Sequence, residues 1–212
     1  NPKLTLYLSD KNESMANWLQ PTTLEGKRAK LIPLQKSHKA ELLQAASDGK
    51  LWELWFTSVP SEKSIDTYIE TALQNQEKGT ALPFTIIDKT TNQIVGSTRY
   101  LNVEAEHRRL EIGATWYAKS NQRSGLNIEC KHLLLQHAFE QLKCIAVEFR
   151  THYHNLASRT AISKLGAKQE GILRNHRIDP QGNYRDTVVF SILESEWATV
   201  KYGLEHRMNK KY

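Results

Sequence analysis

Residues 117–129, Y-A-K-S-N-Q-R-S-G-L-N-I-E, are where this chain stops reading as a strand and starts reading as a helix. Just before, residues 109–117 (R-L-E-I-G-A-T-W-Y) have the length and the aromatic and β-branched content of a strand, interrupted by Gly113. Just after, Cys130, Leu134 and Ala138, with Leu135, Phe139 and Leu142 beside them, recur at the spacing of a helix face. Between lies Q-R-S-G-L-N, residues 122–127, in which Gly125 lets the main chain turn tightly and approach a ligand with no Cβ in the way. A strand, a tight turn and a helix N-terminus together present unpaired N–H groups at the positive end of a helix dipole, a site for a phosphate or pyrophosphate. A glycine between strand and helix also serves the turn alone. Neither G-x-x-x-x-G-K-[ST] nor G-x-G-x-x-G is present.

Outward toward the N-terminus the pattern is a β-hairpin: residues 84–88 (F-T-I-I-D), a polar K-T-T-N turn, then residues 93–103, with the strand ending at Tyr117 as a third member of the meander. Two helices are expected before it. Ser37 caps the first, with Ala40, Leu43 and Ala46 on one face; Ser61 starts the second, with Ile65, Tyr68, Ile69, Ala72 and Leu73 together. Residues 29–34 (A-K-L-I-P-L) read as a first strand, and residues 1–23 as a loose extension in which Trp18 and Leu19 pack. Outward toward the C-terminus come a strand at 144–150, a short helix at 155–166 ending in Gly, and two strands flanking the turn D-P-Q-G. Residues 195–212 form a terminal helix and tail, whose basic end H-R-M-N-K-K-Y suits a disordered end as well as a binding element.

A chain of 212 residues with 39% hydrophobic and 25% charged residues suits one compact domain with a sizeable core. There is no apolar run of membrane-spanning length and no signal-peptide h-region, so the expectation is a cytoplasmic protein without a membrane partner. Cys130 and Cys144 sit at the two ends of the expected central helix, too far apart to bridge, and read as buried thiols; no metal is expected. A net charge of +6 favours acidic partners. The basic residues are dispersed, which argues against nucleic acid.

The loop resembles the acetyl-CoA loop of the GNAT N-acetyltransferases, apolar-x-Pro-x-x-[Gln/Arg]-x-x-Gly-x-[Gly/Ala], with Tyr117, Gln122, Gly125 and Asn127 in register; Lys119 stands at the usual Pro and Asn127 at the usual final Gly. The resemblance spans roughly residues 24–197 and is closest to the ribosomal-protein N-terminal acetyltransferase (RimJ/RimL-like) branch. It is carried by L-x-P-L at Leu31, I-V-G-S-T-R-Y at Ile94, E-I-G at Glu111, N-x-E-x-K at Asn127, N-x-x-S at Asn155, E-G-x-L-R at Glu170 and R-D at Arg185. It implies an α/β (α+β) GNAT fold: a mixed, mostly antiparallel twisted sheet flanked by helices, with two strands splaying apart between residues 115–118 and 148–151. It also implies acetyl transfer from acetyl-CoA, as cosubstrate, to a primary amine attacking directly in a ternary complex, by a monomer or homodimer. The acceptors left open are a ribosomal or other protein N-terminus, a polyamine, an aminoglycoside or another small amine. A noncatalytic CoA-binding module on the same fold is the alternative.

The same resemblance distributes roles. Trp116, Tyr117 and Ala118 offer backbone groups to the pantetheine. Gln122, Arg123, Ser124, Gly125, Leu126 and Asn127 meet the pyrophosphate. Asn155 holds the pantetheine, caps the following helix, or does both, and Arg159 stands beside the cofactor. Ser158 replaces the family's usual Tyr as proton donor to the thiolate, with Tyr153 as rival. Trp52, Trp55 and Phe56 stand where the family places the acceptor cleft, against the alternative that they are simply core; Tyr100 and Trp116 line the same cleft from the sheet, and His107 and His176 are the histidines to examine there. Glu111 stands as general base, against the alternative of a solvated glutamate paired with Arg109 or Arg99.

Overall fold

The structure, a computed structural model, describes residues 18–209. Thirteen regular elements follow in order: β1 (Leu24–Glu25), β2 (Ala29–Pro33), α1 (Lys39–Ser47), α2 (Ile65–Glu77), β3 (Leu82–Asp88), β4 (Gln93–Glu104), β5 (Arg109–Tyr117), α3 (Leu126–Gln136), β6 (Ala146–His152), α4 (Leu156–Lys164), β7 (Lys168–Ile178), β8 (Tyr184–Leu193) and α5 (Trp197–Asn209). The strands form one sheet in the order β1-β2-β3-β4-β5-β6-β8-β7. Every pairing is antiparallel except β5 with β6, the two strands joined by α3. Among the described residues no helix is long and apolar enough to cross a membrane.

Two apolar clusters cover the sheet. On one face Leu126, Cys130, Leu134 and Leu135 of α3, with Ala138 and Phe139 of the turn that follows it, pack with Trp197, Val200 and Leu204 of α5 against Phe84, Tyr100, Ile112 and Phe149. On the other, Leu42, Ala45 and Ala46 of α1 meet Ile65, Ile69 and Ala72 of α2. The stripe read for the central helix is therefore the buried one. That of α1 is corrected: Ala40 is exposed and the buried row is Leu42, Ala45 and Ala46, because a row kept strictly three apart drifts off a helix face. Ser37 caps nothing; it lies in a 3-10 turn, and α1 begins at Lys39 without a side-chain cap. Ser61 stands before the second helix rather than at its start, its N–H donating to Ser64 Oγ at 2.9 Å, while Ile65, Ile69 and Ala72 are buried as expected. Trp18 and Leu19 pack on the main cluster, and the Trp18 indole donates to the Leu142 carbonyl at 2.9 Å. The rest of the N-terminal extension, residues 1–17, and the last three residues of the tail lie outside the described residues.

Cys144 precedes the strand it was assigned to: its N–H closes the end of the helix on the Ala138 carbonyl at 2.9 Å, after a π turn at His137–Gln141. Both thiols are buried, and burial pushes each up to about 12.

Candidate active site

The site begins where two strands part. β5 and β6 pair only from Arg109↔Ala146 to Glu111↔Glu148, so the splay starts at Ile112 and Phe149, and Glu148 is still paired. The opening is a cleft of about 600 Å³. Beyond the last pair, the edge of each strand facing the gap lacks a ladder partner, and an extended ligand carrying amides can supply one.

Within β5 the strand also bulges. Gly113 pairs with Arg99 and Trp116 with Ser97, so Ala114 and Thr115 together oppose Thr98. Ala114 takes the left-handed region at φ 46° and is exposed. The extra residue switches the alternation. Leu110, Ile112 and Tyr117 belong to the main cluster, whereas Trp116 packs with α1 and α2, its indole donating to Tyr68 Oη at 3.1 Å. Plain strand alternation would put Ile112, Ala114 and Trp116 on one face and Glu111, Gly113 and Thr115 on the other; the bulge breaks both rows.

At the far end of β5 the chain turns into α3 through Gly125, the residue capping the helix, at φ 84°. Arg123, also at positive φ (61°), precedes it. Among the described residues no group accepts from the N–H groups of Arg123, Ser124, Gly125 or Asn127, and that of Leu126 reaches Ser124 Oγ at 3.5 Å. These donors at a helix N-terminus fit a pyrophosphate. The loop is anchored from behind. Arg28 donates to the Ser124 carbonyl at 2.8 Å and pairs with Asp88 at 2.7 Å, and Asn121 Nδ2 reaches Asp88 Oδ2 at 3.2 Å. The Arg28 guanidinium holds the Asp88 carboxyl down to about 2. Glu129 accepts from the N–H groups of Lys27, Arg28 and Ala29, which ties the β1–β2 turn to α3.

Of the residues assigned to the cofactor, Trp116, Tyr117, Gln122, Arg123, Asn127 and Asn155 line the cleft, as does Ser158. Gln122 Nε2 braces the turn on the Tyr117 carbonyl at 3.1 Å. Ala118 is buried with its N–H on the Val95 carbonyl, Leu126 is core, and Ser124 turns its hydroxyl to the Asn121 carbonyl. Arg159 is placed elsewhere: it stacks on Tyr153 at 4.8 Å and borders a separate surface groove with Leu156 and Gln169, because α4 points it away from the strands. Tyr153 does not line the cleft. Asn155 caps α4, its Oδ1 accepting from the Ser158 N–H at 3.0 Å.

The acceptor-side expectations need more correction. Tyr100 is fully buried and donates to the Leu134 carbonyl at 2.6 Å, so it is core rather than lining. Trp52 packs on the α1/α2 cluster; its neighbours Leu51, Leu54, Phe56 and Val59 reach the cleft instead. Trp55 is 65% exposed and meets His152 edge-on at 4.9 Å, at the mouth. His107 is exposed beyond the end of β4 and His176 bonds Thr187; neither lines the cleft, whereas His152 does.

Glu111 is only 6% exposed, which removes the solvated alternative. Arg109 pairs with Glu148 at 2.5 Å, and Arg99 lies over the Tyr68 ring at 4.2 Å. The Glu111 carboxylate takes a hydrogen bond from Asn102 Nδ2 at 2.6 Å and stands 3.7 Å from Arg150 Nε. Burial raises its pKa, against the lowering by Asn102 and Arg150. It leans over Gly113, which lines the cleft: a Cβ there would meet Glu111 Oε1 at 2.8 Å, so glycine keeps the carboxylate beside the opening.

Sequence reasoning missed Lys131. It is buried in the cleft wall, with Nζ donating to Thr115 Oγ1 at 2.7 Å, and Thr115 Oγ1 in turn lies 2.7 Å from Thr98 Oγ1. Burial lowers the amine to about 8. The signal was a lysine one helical turn after Asn127 on an otherwise apolar face.

Comparison with known proteins agrees with this geometry. Residues 28–168 match the family model described as the acetyltransferase (GNAT) domain. The Bacillus subtilis protein named "Putative ribosomal N-acetyltransferase YdaF" is 29% identical over 147 residues, 68% of this chain and 78% of that one. A GCN5-related N-acetyltransferase from Brucella melitensis superposes with a TM-score of 0.80 at 26% identity, covering 90% of this chain and 86% of that one. Mycobacterium smegmatis RimJ, solved in complex with CoA-disulfide, shares the fold at a TM-score of 0.74 and 21% identity, over 88% of this chain and 95% of that one. With the family model matching more than half its length, the chain belongs to the GNAT acetyltransferase family and is an acetyl-CoA-dependent N-acetyltransferase.

Proposed function

We propose that this enzyme acetylates the N-terminal amine of a protein or peptide by direct attack on acetyl-CoA, with Glu111 as the base. Acetyl-CoA supplies an acetyl group activated as a thioester. The N–H groups of residues 123–127 hold its pyrophosphate, and the open edges of β5 and β6 hold its pantetheine arm. The acceptor enters past Trp55 and Phe56. The observation that carries the reading is the Glu111 carboxylate, buried over Gly113 at the point where the strands part. Its raised pKa brings it closer to the amine it must deprotonate, while Asn102 and Arg150 fix its orientation. Ser158 faces the cleft where the rival Tyr153 does not, so its hydroxyl is the side-chain donor for the departing thiolate.

The chemistry favours an α-amine. With a pKa near 8 it is roughly one-tenth neutral at pH 7, whereas a lysine amine near 10.4 is neutral at about the 10⁻⁴ to 10⁻³ level. A ribosomal or other protein N-terminus is in line with the name of the Bacillus subtilis relative. The test is a turnover screen reading free thiol against free and N-terminally blocked peptides, polyamines and aminoglycosides. Free peptides should be acetylated and blocked ones spared; equal rates on both, or turnover of small amines alone, would defeat the assignment.

A further inference from the structure

Among the described residues, the face of the sheet that carries Glu111 continues past it without a helix. Register puts Glu148, Arg150 and His152 of β6 on that face, opposite Ser191, Val189 and Thr187 of β8, with Arg185 two residues before Thr187. An acceptor whose amine meets Glu111 must lay the rest of itself on this shelf.

Most of the charges there are committed. Arg150 donates to Glu148 at 2.9 Å and stands by Glu111 at 3.7 Å; Glu148 also pairs with Arg109. Asp186 accepts from Arg174 and from the Asn175 N–H, and Asp179 is used by the N–H groups of its own turn, those of Gln181 and Asn183. His152 is held below its ordinary value by burial and then by Arg185, which disfavours its cation.

Arg185 is not committed. It lines the cleft, makes no hydrogen bond or ion pair among the described residues, and its Nε is sealed from solvent without a partner. Its charged neighbour is Arg177, opposite it in the β7–β8 ladder, and no carboxylate offsets the burial. A second arginine repeats the pattern. Arg99, paired in register with Gly113 and therefore on the same face, is 7% exposed with Nε and Nη2 unpartnered, its plane over the Tyr68 ring that lines the cleft. Arg185 is half-buried with its Nε sealed and Arg99 is buried; a guanidinium withdrawn from water without a partner is disfavoured, and a ligand anion relieves that.

We infer that the acceptor carries a carboxylate close to its amine and that Arg185 receives it. This rests on the amine-acceptor reading above and narrows it: an acidic residue next to a peptide N-terminus, or the free carboxylate of an amino acid, supplies the same group. Arg185 presents a planar fork that matches it.

The experiment compares kcat/KM for peptides beginning Ser-Asp and Ser-Asn, and for serine and serinamide, with wild type, Arg185→Gln and Arg185→Lys. The acidic partner of each pair should be preferred by about tenfold or more. Arg185→Gln should bring the pair to parity with the KM for acetyl-CoA unchanged, and Arg185→Lys should restore part of the preference. Turnover of serine but neither peptide would uphold the carboxylate and remove the peptide N-terminus. Equal rates within both pairs, a preference that survives Arg185→Gln, or a raised KM for acetyl-CoA in its place would overturn the inference.

Discussion

The two walls of the cleft are made of different material. The wall from Ile112 through the loop to Asn127 works through main chain: a bulge, two positive-φ turns and a helix N-terminus whose N–H groups are free. The facing wall works through side chains, Arg150, His152 and Arg185, with Glu111 beside the opening, delivered by three strands. Main-chain geometry constrains sequence locally, because a glycine or a helix cap has to sit at one position. A side-chain wall constrains it only through contacts between residues far apart in the chain. The first wall suits a cosubstrate common to a whole family, and the second a private acceptor.

The largest expected effect breaks the main-chain wall alone. Gly125→Val puts a β-branched residue at φ 84°, a conformation it does not adopt, although the space around a Cβ there is open. The N–H groups turn away and acetyl-CoA binding should fall by roughly a hundredfold or more. Wild type in CoA at a hundred times its dissociation constant should gain about 2.7 kcal/mol of stability, and the variant nothing, read as a thermal shift. An unshifted wild-type melting temperature would refute the loop assignment.

Lys131 stands between the walls and gives the next effect. Its pKa falls from an ordinary 10.5 to about 8 on burial, so the unfolded chain binds more protons between those values and stability rises with pH across that window. Below pH 8 the folded protein carries the buried ammonium at a cost of roughly 3 kcal/mol, taking about 1.36 kcal/mol per unit. Lys131→Met should flatten the pH 8 to 10.5 segment of the stability profile, measured by denaturant titration. A variant whose slope there equals that of wild type would show the amine to be solvated.

Glu111→Gln breaks the side-chain wall and spares the other. Turnover should drop by roughly 10² with the KM for acetyl-CoA unchanged, and the deficit should shrink toward pH 9 as the acceptor deprotonates itself. In wild type, activity should rise with pH through a carboxyl pKa above the ordinary value, since burial raises it. Turnover within a few-fold of wild type from pH 6 to 9 would retire Glu111.

How much of each wall was legible follows from the same contrast. The strand–loop–helix of residues 109–136, the hairpin before it and the apolar stripe of α3 are local patterns, and they stand where the sequence puts them. The bulge was not legible: nothing in G-A-T-W announces that Ala114 takes φ 46°, and one inserted residue sent Trp116 to the opposite face from Ile112. Tyr100 and Trp52 misled because an aromatic residue near a cleft has the same sequence signature as one in a core; only the Tyr100 hydrogen bond to Leu134 separates them. Arg99 and Arg185 lie 86 positions apart and are brought to one shelf by strand pairing. Glu111 was legible as a candidate because it sits in the strand leading to the loop, so the readable wall lent its register to one residue of the other.

The smallest effect sharpens the contrast at Asn155, which joins both kinds of wall in one side chain. Its Oδ1 caps α4 through the Ser158 N–H at 3.0 Å, and the residue lines the cleft, which leaves its amide NH₂ available to the pantetheine arm. Asn155→Ala removes both functions and should cost about 1 kcal/mol of stability, the ordinary value of an N-cap. Asn155→Asp keeps the cap, since Asp and Asn are equivalent there and a carboxylate suits the positive end of the helix. It loses the donor. If Asn155 serves only the helix, the Asp variant should match wild type in both melting temperature and KM for acetyl-CoA. If it also holds the cosubstrate, the Asp variant should keep its melting temperature while that KM rises by roughly twofold to tenfold, the value of one hydrogen bond. A lowered melting temperature in Asn155→Asp together with an unchanged KM would contradict the capping geometry itself.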